Sequence, residues 1–154
     1  MLRAKLNDAL KDAMRAKDDR VVGTIRLIIA KMKDLDIAAR PKGITDGIKD
    51  DEIASMLQGM IKQRRESIAL YEKGNRADLV QQESEEIAVI ERFLPKQMGE
   101  DAVKAAIAKI VGELGAKDIK DMGKVMAELK KNYVGQMDFA QAGSLVKSHL
   151  SGAA

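Results

Sequence analysis

The run Asp50-Asp51-Glu52-Ile53-Ala54-Ser55-Met56-Leu57-Gln58-Gly59-Met60-Ile61-Lys62-Gln63-Arg64-Arg65-Glu66-Ser67-Ile68-Ala69-Leu70-Tyr71 carries apolar side chains at Ile53, Met56, Leu57, Met60, Ile61, Ile68 and Tyr71. Steps of three and four residues gather these on one side of a 3.6-residue helix, whereas a strand would scatter them over both faces. Acidic residues open the run, where a helix presents unbonded N–H groups that favour negative charge, and Gly74 closes it.

The same period extends both ways. Leu2, Leu6, Leu10, Ala13 and Met14 mark a first helix to about Lys17. Asp18 and Asp19 can cap a second, whose stripe is Val22, Ile25, Ile28, Ile29, Met32 and Leu35, with Leu27 and Ala30 as a further apolar flank. Arg40-Pro41-Lys42-Gly43 interrupts the pattern and starts a loop of about ten residues. After Gly74, Asn75-Arg76-Ala77-Asp78 can cap a fourth helix with Leu79, Ile87, Ile90 and Leu94 in register, stopped by Pro95. The change of character at Leu94-Pro95-Lys96-Gln97-Met98-Gly99 is read as a domain boundary. Beyond it, Glu100 to Leu114 makes a helix with Val103, Ile107, Ile110, Val111 and Leu114 inward and Gly115 as its stop. Asp121 can cap a segment to about Asn132, and Asp138 with Gln141 a last helix to about Leu150. The expectation is an all-α chain: a four-helix antiparallel bundle over 1–94 and a small three-helix tail over 95–154.

Composition agrees. Aromatics are 3% of the 154 residues, and the helix-favouring Leu, Ala, Met, Lys, Glu and Arg dominate, with nine methionines as adaptable core filler. The absence of cysteine removes disulfides, thiolate metal sites and a thiol nucleophile together. No apolar run reaches the ~20 residues of a membrane span, and charges occupy the N-terminus where a signal peptide is apolar. A cytoplasmic location with no membrane partner is expected. The 27 basic and 24 acidic side chains leave a net charge of +3, which permits nucleic-acid binding without demanding it.

Ile61-Lys62-Gln63-Arg64-Arg65-Glu66-Ser67-Ile68, then Tyr71, Gly74-Asn75-Arg76 and Phe93-Leu94-Pro95, resembles the signature stretch of the GatB/YqeY family. Lys120-Asp121-Met122-Gly123-Lys124-Val125-Met126 is similar both to YqeY proteins and to the tail of GatB, a component of aspartyl/glutamyl-tRNA amidotransferase. With Asp19-Arg20 and Thr24-Ile25-Arg26-Leu27, these matches span nearly the whole chain. The resemblance implies a helical bundle joined to a helical tail. It also implies a link to carbon-nitrogen ligase chemistry with glutamine as amido-N-donor, in which the related tail helps hold misacylated tRNA. The chain departs from the Gly-Lys-Ala usual in GatB tails, having Gly135-Gln136-Met137-Asp138.

Two constellations stand out. Arg64 falls on an apolar stripe, as does Glu83, with Glu86 beside it. A hairpin closing at Gly74-Asn75 sets Arg64 opposite Glu83 to Glu86, which predicts an interhelix ion pair; contact with RNA is the other use of this basic stretch. In the tail, Lys120, Lys124, Lys130, Lys131 and Lys147, with Lys117, outnumber the neighbouring Asp118, Asp121, Glu128 and Asp138. Lys124 lies in a first helical turn that can receive phosphate, and an ordinary solvated lysine face is the alternative. Gly123 and Gly143 can permit close helix approach. His149 is a lone histidine, so no metal site is assigned.

No catalytic residues are recognisable. Ser55, Ser67, Ser84, Ser144, Ser148 and Ser151 lie outside any nucleophile elbow, and no glycine-rich phosphate loop is present, so no cofactor is assigned. Two classes of function remain: an accessory protein holding tRNA or an aminoacyl-tRNA complex through its tail, or a non-catalytic helical protein-interaction module. Binding of RNA should weaken steeply with salt, and apolar docking should barely respond.

Overall fold

The computed structural model describes residues 1–152. Residues 153 and 154, the end of the expected tail domain, lie outside the described residues. The architecture is all-α: α1 (Leu2–Arg15), α2 (Asp19–Ala39), α3 (Asp50–Lys73), α4 (Ala77–Glu91), α5 (Glu100–Leu114), α6 (Met122–Asn132) and α7 (Phe139–Leu150). Single 3-10 turns at Arg40–Lys42 and Ile119–Asp121 complete it, and no strand occurs among the described residues. The chain divides after Pro95 into two compact units.

The first unit is built on the α3–α4 hairpin, with α2 packed along α1 and α4. Its main core joins Leu6, Ile28, Met32, Ile53, Leu57, Met60, Ile61 and Ile90. Burying each of the larger of these side chains stabilises the fold by about 1.5–3 kcal/mol relative to leaving it in water. A smaller cluster of Ala13, Val21, Ile25 and Val89 lies at the α1–α2 turn. Because Val89 and Ile90 are adjacent on α4 and enter different clusters, α4 is wedged between the two. The periodic stripe read from the sequence missed Val89.

Hairpin closure falls on Asn75, whose φ of 54° is left-handed, and not on Gly74, whose φ of −87° is ordinary. Asparagine tolerates that region better than most side chains. The expected cap of α4 does not form: Asp78 binds the Arg76 guanidinium at 3.1–3.2 Å. Helix α4 ends at Glu91, short of Pro95, and Phe93 and Leu94 pack on the core from turns. Met14, expected inward, is 52% exposed, since the chain reverses within the next few residues and Ala13 takes the core position.

The second unit packs α5, α6 and α7 around Val103, Ile107, Ile110, Val125, Leu129, Ala142 and Val146. Leu114, also expected inward, is 43% exposed, because Gly115 at φ 64° turns the chain and Ala116 packs against the core instead. Asp138 caps α7 by accepting from the Ala140 N–H at 2.9 Å. A Cβ on Gly143 would meet the Met122 and Met126 methyls at 3.7 and 3.8 Å, which is close helix packing, whereas one on Gly123 would meet nothing within 4 Å.

Candidate nucleic-acid interface

The tail lysines are positioned by the turn that leads into α6. Asp118 accepts from the Lys120 N–H at 2.7 Å, and Asp121 accepts from the Lys117 N–H at 2.9 Å. Asp121 also accepts from the Asp118 N–H at 3.5 Å, and the Asp118 side chain in return faces the Asp121 N–H, so the turn is held by a capping box. They also correct the expectation that Asp121 caps α6 with its side chain: its carboxylate faces back along the chain. The bonds from the Lys117 and Asp118 N–H groups, and then the nearby Lys124 charge, hold that carboxyl below its ordinary range.

Lys120, Lys124, Lys130, Lys131 and Lys147 are all exposed, and none of the five is in an ion pair among the described residues. Lys124 and Lys131 are two turns apart and share one face of α6, while Lys130 is rotated about 100° round the helix. Lys147 belongs to the last turn of α7. Lys130, Lys131 and Lys147 thus sit at helix C-termini, where a cation is favoured by the helix dipole whether or not a ligand is present.

In the bundle, Arg64 Nε donates to Glu86 Oε2 at 3.0 Å, with only 13% and 12% of the two side chains exposed. Arg64 Nη1 donates to the Met60 carbonyl at 3.3 Å. Glu83 lies alongside: burial and the Glu86 charge push its carboxyl above the usual range, and Arg64 partly offsets this. Arg64 is therefore engaged within the hairpin, while its neighbours Lys62 and Arg65 remain exposed. Two more cross-helix pairs reach α4, Arg20 to Glu85 at 3.1 Å and Arg65 to Glu91 at 3.5 Å, both well exposed and worth little individually.

A further polar cluster escaped sequence reasoning. Arg3 grips Asp36 through two bonds of 2.8 and 2.9 Å and donates to the Ile48 carbonyl at 3.1 Å, while Asp36 accepts from the Ile48 N–H at 2.8 Å. The Arg3 hydrogen bonds hold the Asp36 carboxyl below its ordinary value. The clamp ties α1, α2 and the 43–49 loop together and buries Ile48 at 6% exposure. Gly47, at φ 91°, passes so close that a Cβ would lie 2.6 Å from Arg3 Nη2 and 2.9 Å from Asp36 Oδ1. The only local hint was the second glycine of the loop, because partners more than thirty residues apart leave no periodic signal.

Several serine hydroxyls donate to nearby backbone carbonyls: Ser67 to Gln63 and Ser84 to Val80 within their helices, and Ser151, just past α7, to Ser148. An open cleft of about 410 Å³ at the hairpin tip is lined by Glu72, Asn75, Arg76, Ala77, Val80 and Gln81. Among the described residues, no group of three or more His, Cys, Asp and Glu is placed to hold a metal ion, and no helix is long and apolar enough to cross a membrane.

The family model described as Yqey-like protein matches residues 3–150. The protein named "Altered inheritance of mitochondria protein 41, mitochondrial" in Kluyveromyces lactis is 34% identical over 114 residues, covering 72% of this chain and 59% of that protein. Its namesake in Lachancea thermotolerans is 34% identical over 113 residues, again 72% of this chain and 58% of the relative. That of Eremothecium gossypii is 34% identical over 153 residues, 97% of this chain and 81% of its own length. The chain thus spans less than two thirds of the first two relatives.

Proposed function

We propose, from the premise that the chain belongs to the YqeY-like protein family, that it is an accessory protein of tRNA-dependent amidation which binds tRNA through its C-terminal unit. The observation that carries this reading is the set of exposed lysines that make no ion pair among the described residues, Lys120, Lys124, Lys130, Lys131 and Lys147, on and around α6 and α7. Free ammonium groups release counterions when they meet phosphate, and the Lys124–Lys131 face offers two of them along one helix. Without an aromatic stacking platform, the RNA would be recognised by shape and backbone. The link to a carbon-nitrogen ligase with glutamine as amido-N-donor rests on resemblance to the amidotransferase tail; the chain's part in it is to hold RNA while other proteins do the chemistry.

The test is a titration of tRNA against the wild type and a Lys124→Glu, Lys130→Glu, Lys131→Glu variant at two salt concentrations. Wild-type affinity should fall by roughly 0.7–0.9 log units per log unit of salt for each phosphate neutralised, and the variant should bind weakly with a shallower slope. Equal binding by both proteins, or binding by neither, would remove the RNA assignment. Glutamine turnover by the purified chain alone would remove the accessory role. We assign the chain to the cytoplasm, consistent with a cysteine-free composition in a reducing compartment, although the relatives carry mitochondrial names. Cell fractionation distinguishes the two.

A further inference from the structure

Helix α2 has two apolar stripes, and the core uses one of them. Val21, Ile25, Ile28 and Met32 are buried. On the opposite side, Gly23, Leu27, Ala30, Asp34 and Ile37 follow one another at spacings of four and three residues, which aligns them in a single outward seam. All five are exposed, with Leu27 at 51% and Ile37 at 57%. Asp34, on this seam, and Arg26, beside it, are also exposed and make no ion pair among the described residues.

These positions are symmetric about Ala30. Arg26 and Asp34 lie four residues to either side of it; Gly23 and Ile37 lie seven to either side. A two-fold contact requires this kind of self-complementarity, since residue i of one copy must suit residue j of the other and the reverse. In an antiparallel α2–α2 pair with its axis at Ala30, each Arg26 faces the Asp34 of the second copy, giving two equivalent ion pairs. Each Ile37 faces a Gly23. Nothing lies within 4 Å of where a Gly23 Cβ would be, so the missing side chain leaves open space there for a branched side chain of the other copy. Ala30 against Ala30 lets the two backbones approach closely at the axis, with Leu27 covering the flank.

We propose that this face of α2 is a homodimer interface, and that the partner it fits is a second copy of the chain. The complementarity of charge selects that occupant: a seam with a carboxylate within it is a poor site for a purely apolar partner, but in the antiparallel register that carboxylate meets a guanidinium from the other copy. The seam is about 21 Å long at 1.5 Å per residue, so the contact is small and the association reversible. It does not depend on RNA binding by the C-terminal unit.

Sedimentation equilibrium over a range of protein concentrations tests it, using the wild type, Arg26→Asp, Asp34→Arg and the double reversal Arg26→Asp/Asp34→Arg. All are exposed changes, and far-UV circular dichroism checks that each variant remains helical. The wild type should dimerise with concentration. Each single reversal places like charges opposite one another twice and should weaken the dimer at least about tenfold, while the double reversal rebuilds both pairs and should recover association to within a few-fold. Ala30→Lys, which puts two cations on the axis, should abolish the dimer. A wild type that stays monomeric up to millimolar concentration overturns the proposal, as does a dimer indifferent to the single reversals or a double reversal that fails to recover.

Discussion

Removing Arg64 should cost more stability than removing the partner it binds. At 3.0 Å and an effective dielectric of about 20, the gross attraction between Arg64 and Glu86 is about 5 kcal/mol, most of it offset by the desolvation of two largely buried ions. Arg64→Met leaves Glu86 and Glu83 facing each other with their cation gone, and should cost about 3–5 kcal/mol. Glu86→Leu leaves Arg64 its bond to the Met60 carbonyl and the neighbouring Glu83 charge, so about 2 kcal/mol is expected. The double variant Arg64→Met/Glu86→Leu should lose much less than the sum of the single variants. Adding Glu83→Gln to Arg64→Met should recover part of the loss at neutral pH. Urea unfolding of these variants in a Tyr133→Phe background lets tyrosine fluorescence report from Tyr71 in the hairpin, apart from the second unit. Single losses that add to within about 0.5 kcal/mol, or a Glu86→Leu loss larger than that of Arg64→Met, would refute the shared-cation geometry.

Gly47→Ala should destabilise by about 2 kcal/mol, since it demands an unfavourable positive φ and pushes a methyl into the Arg3–Asp36 clamp; the urea midpoint measures it. The clamp also sets a pH dependence. With its carboxyl held below the ordinary 3.8, Asp36 contributes stability that is present above that value and lost as pH falls through the folded-state value. The difference between wild type and Asp36→Asn in thermal unfolding should accordingly be largest near neutrality and shrink in acid. The Glu83 carboxyl is shifted the other way, so Glu83→Gln alone should stabilise above the ordinary 4.5 and lose that advantage in acid. Lys17 holds a left-handed φ of 56° in the α1–α2 turn, and Lys17→Gly should raise stability by up to about 1 kcal/mol in the same assay.

Helix existence and phase were legible from the chain because burial on one side of a helix imposes a period that reaches the sequence directly. The spacing of Ile53, Met56, Leu57, Met60 and Ile61 identified α3, and Gly115 marked the end of α5. The opposition of Arg64 to Glu86 could be reasoned out because a tight hairpin fixes which residues face each other across it. Tertiary structure alone decided the rest. Periodicity reports that a residue lies on an apolar face but carries no information on whether a neighbour covers it, so Leu114 and Met14 read as inward yet stand in solvent. It is equally silent on polar groups brought together from distant segments, which is why the Arg3–Asp36–Ile48 clamp left no periodic signal in the sequence and only Gly47 hinted at it. The outer seam of α2 combines both cases: its spacing is written in the chain, but only the packing of α2 on α1 and α4 shows which of two apolar stripes the bundle consumes and which it leaves exposed.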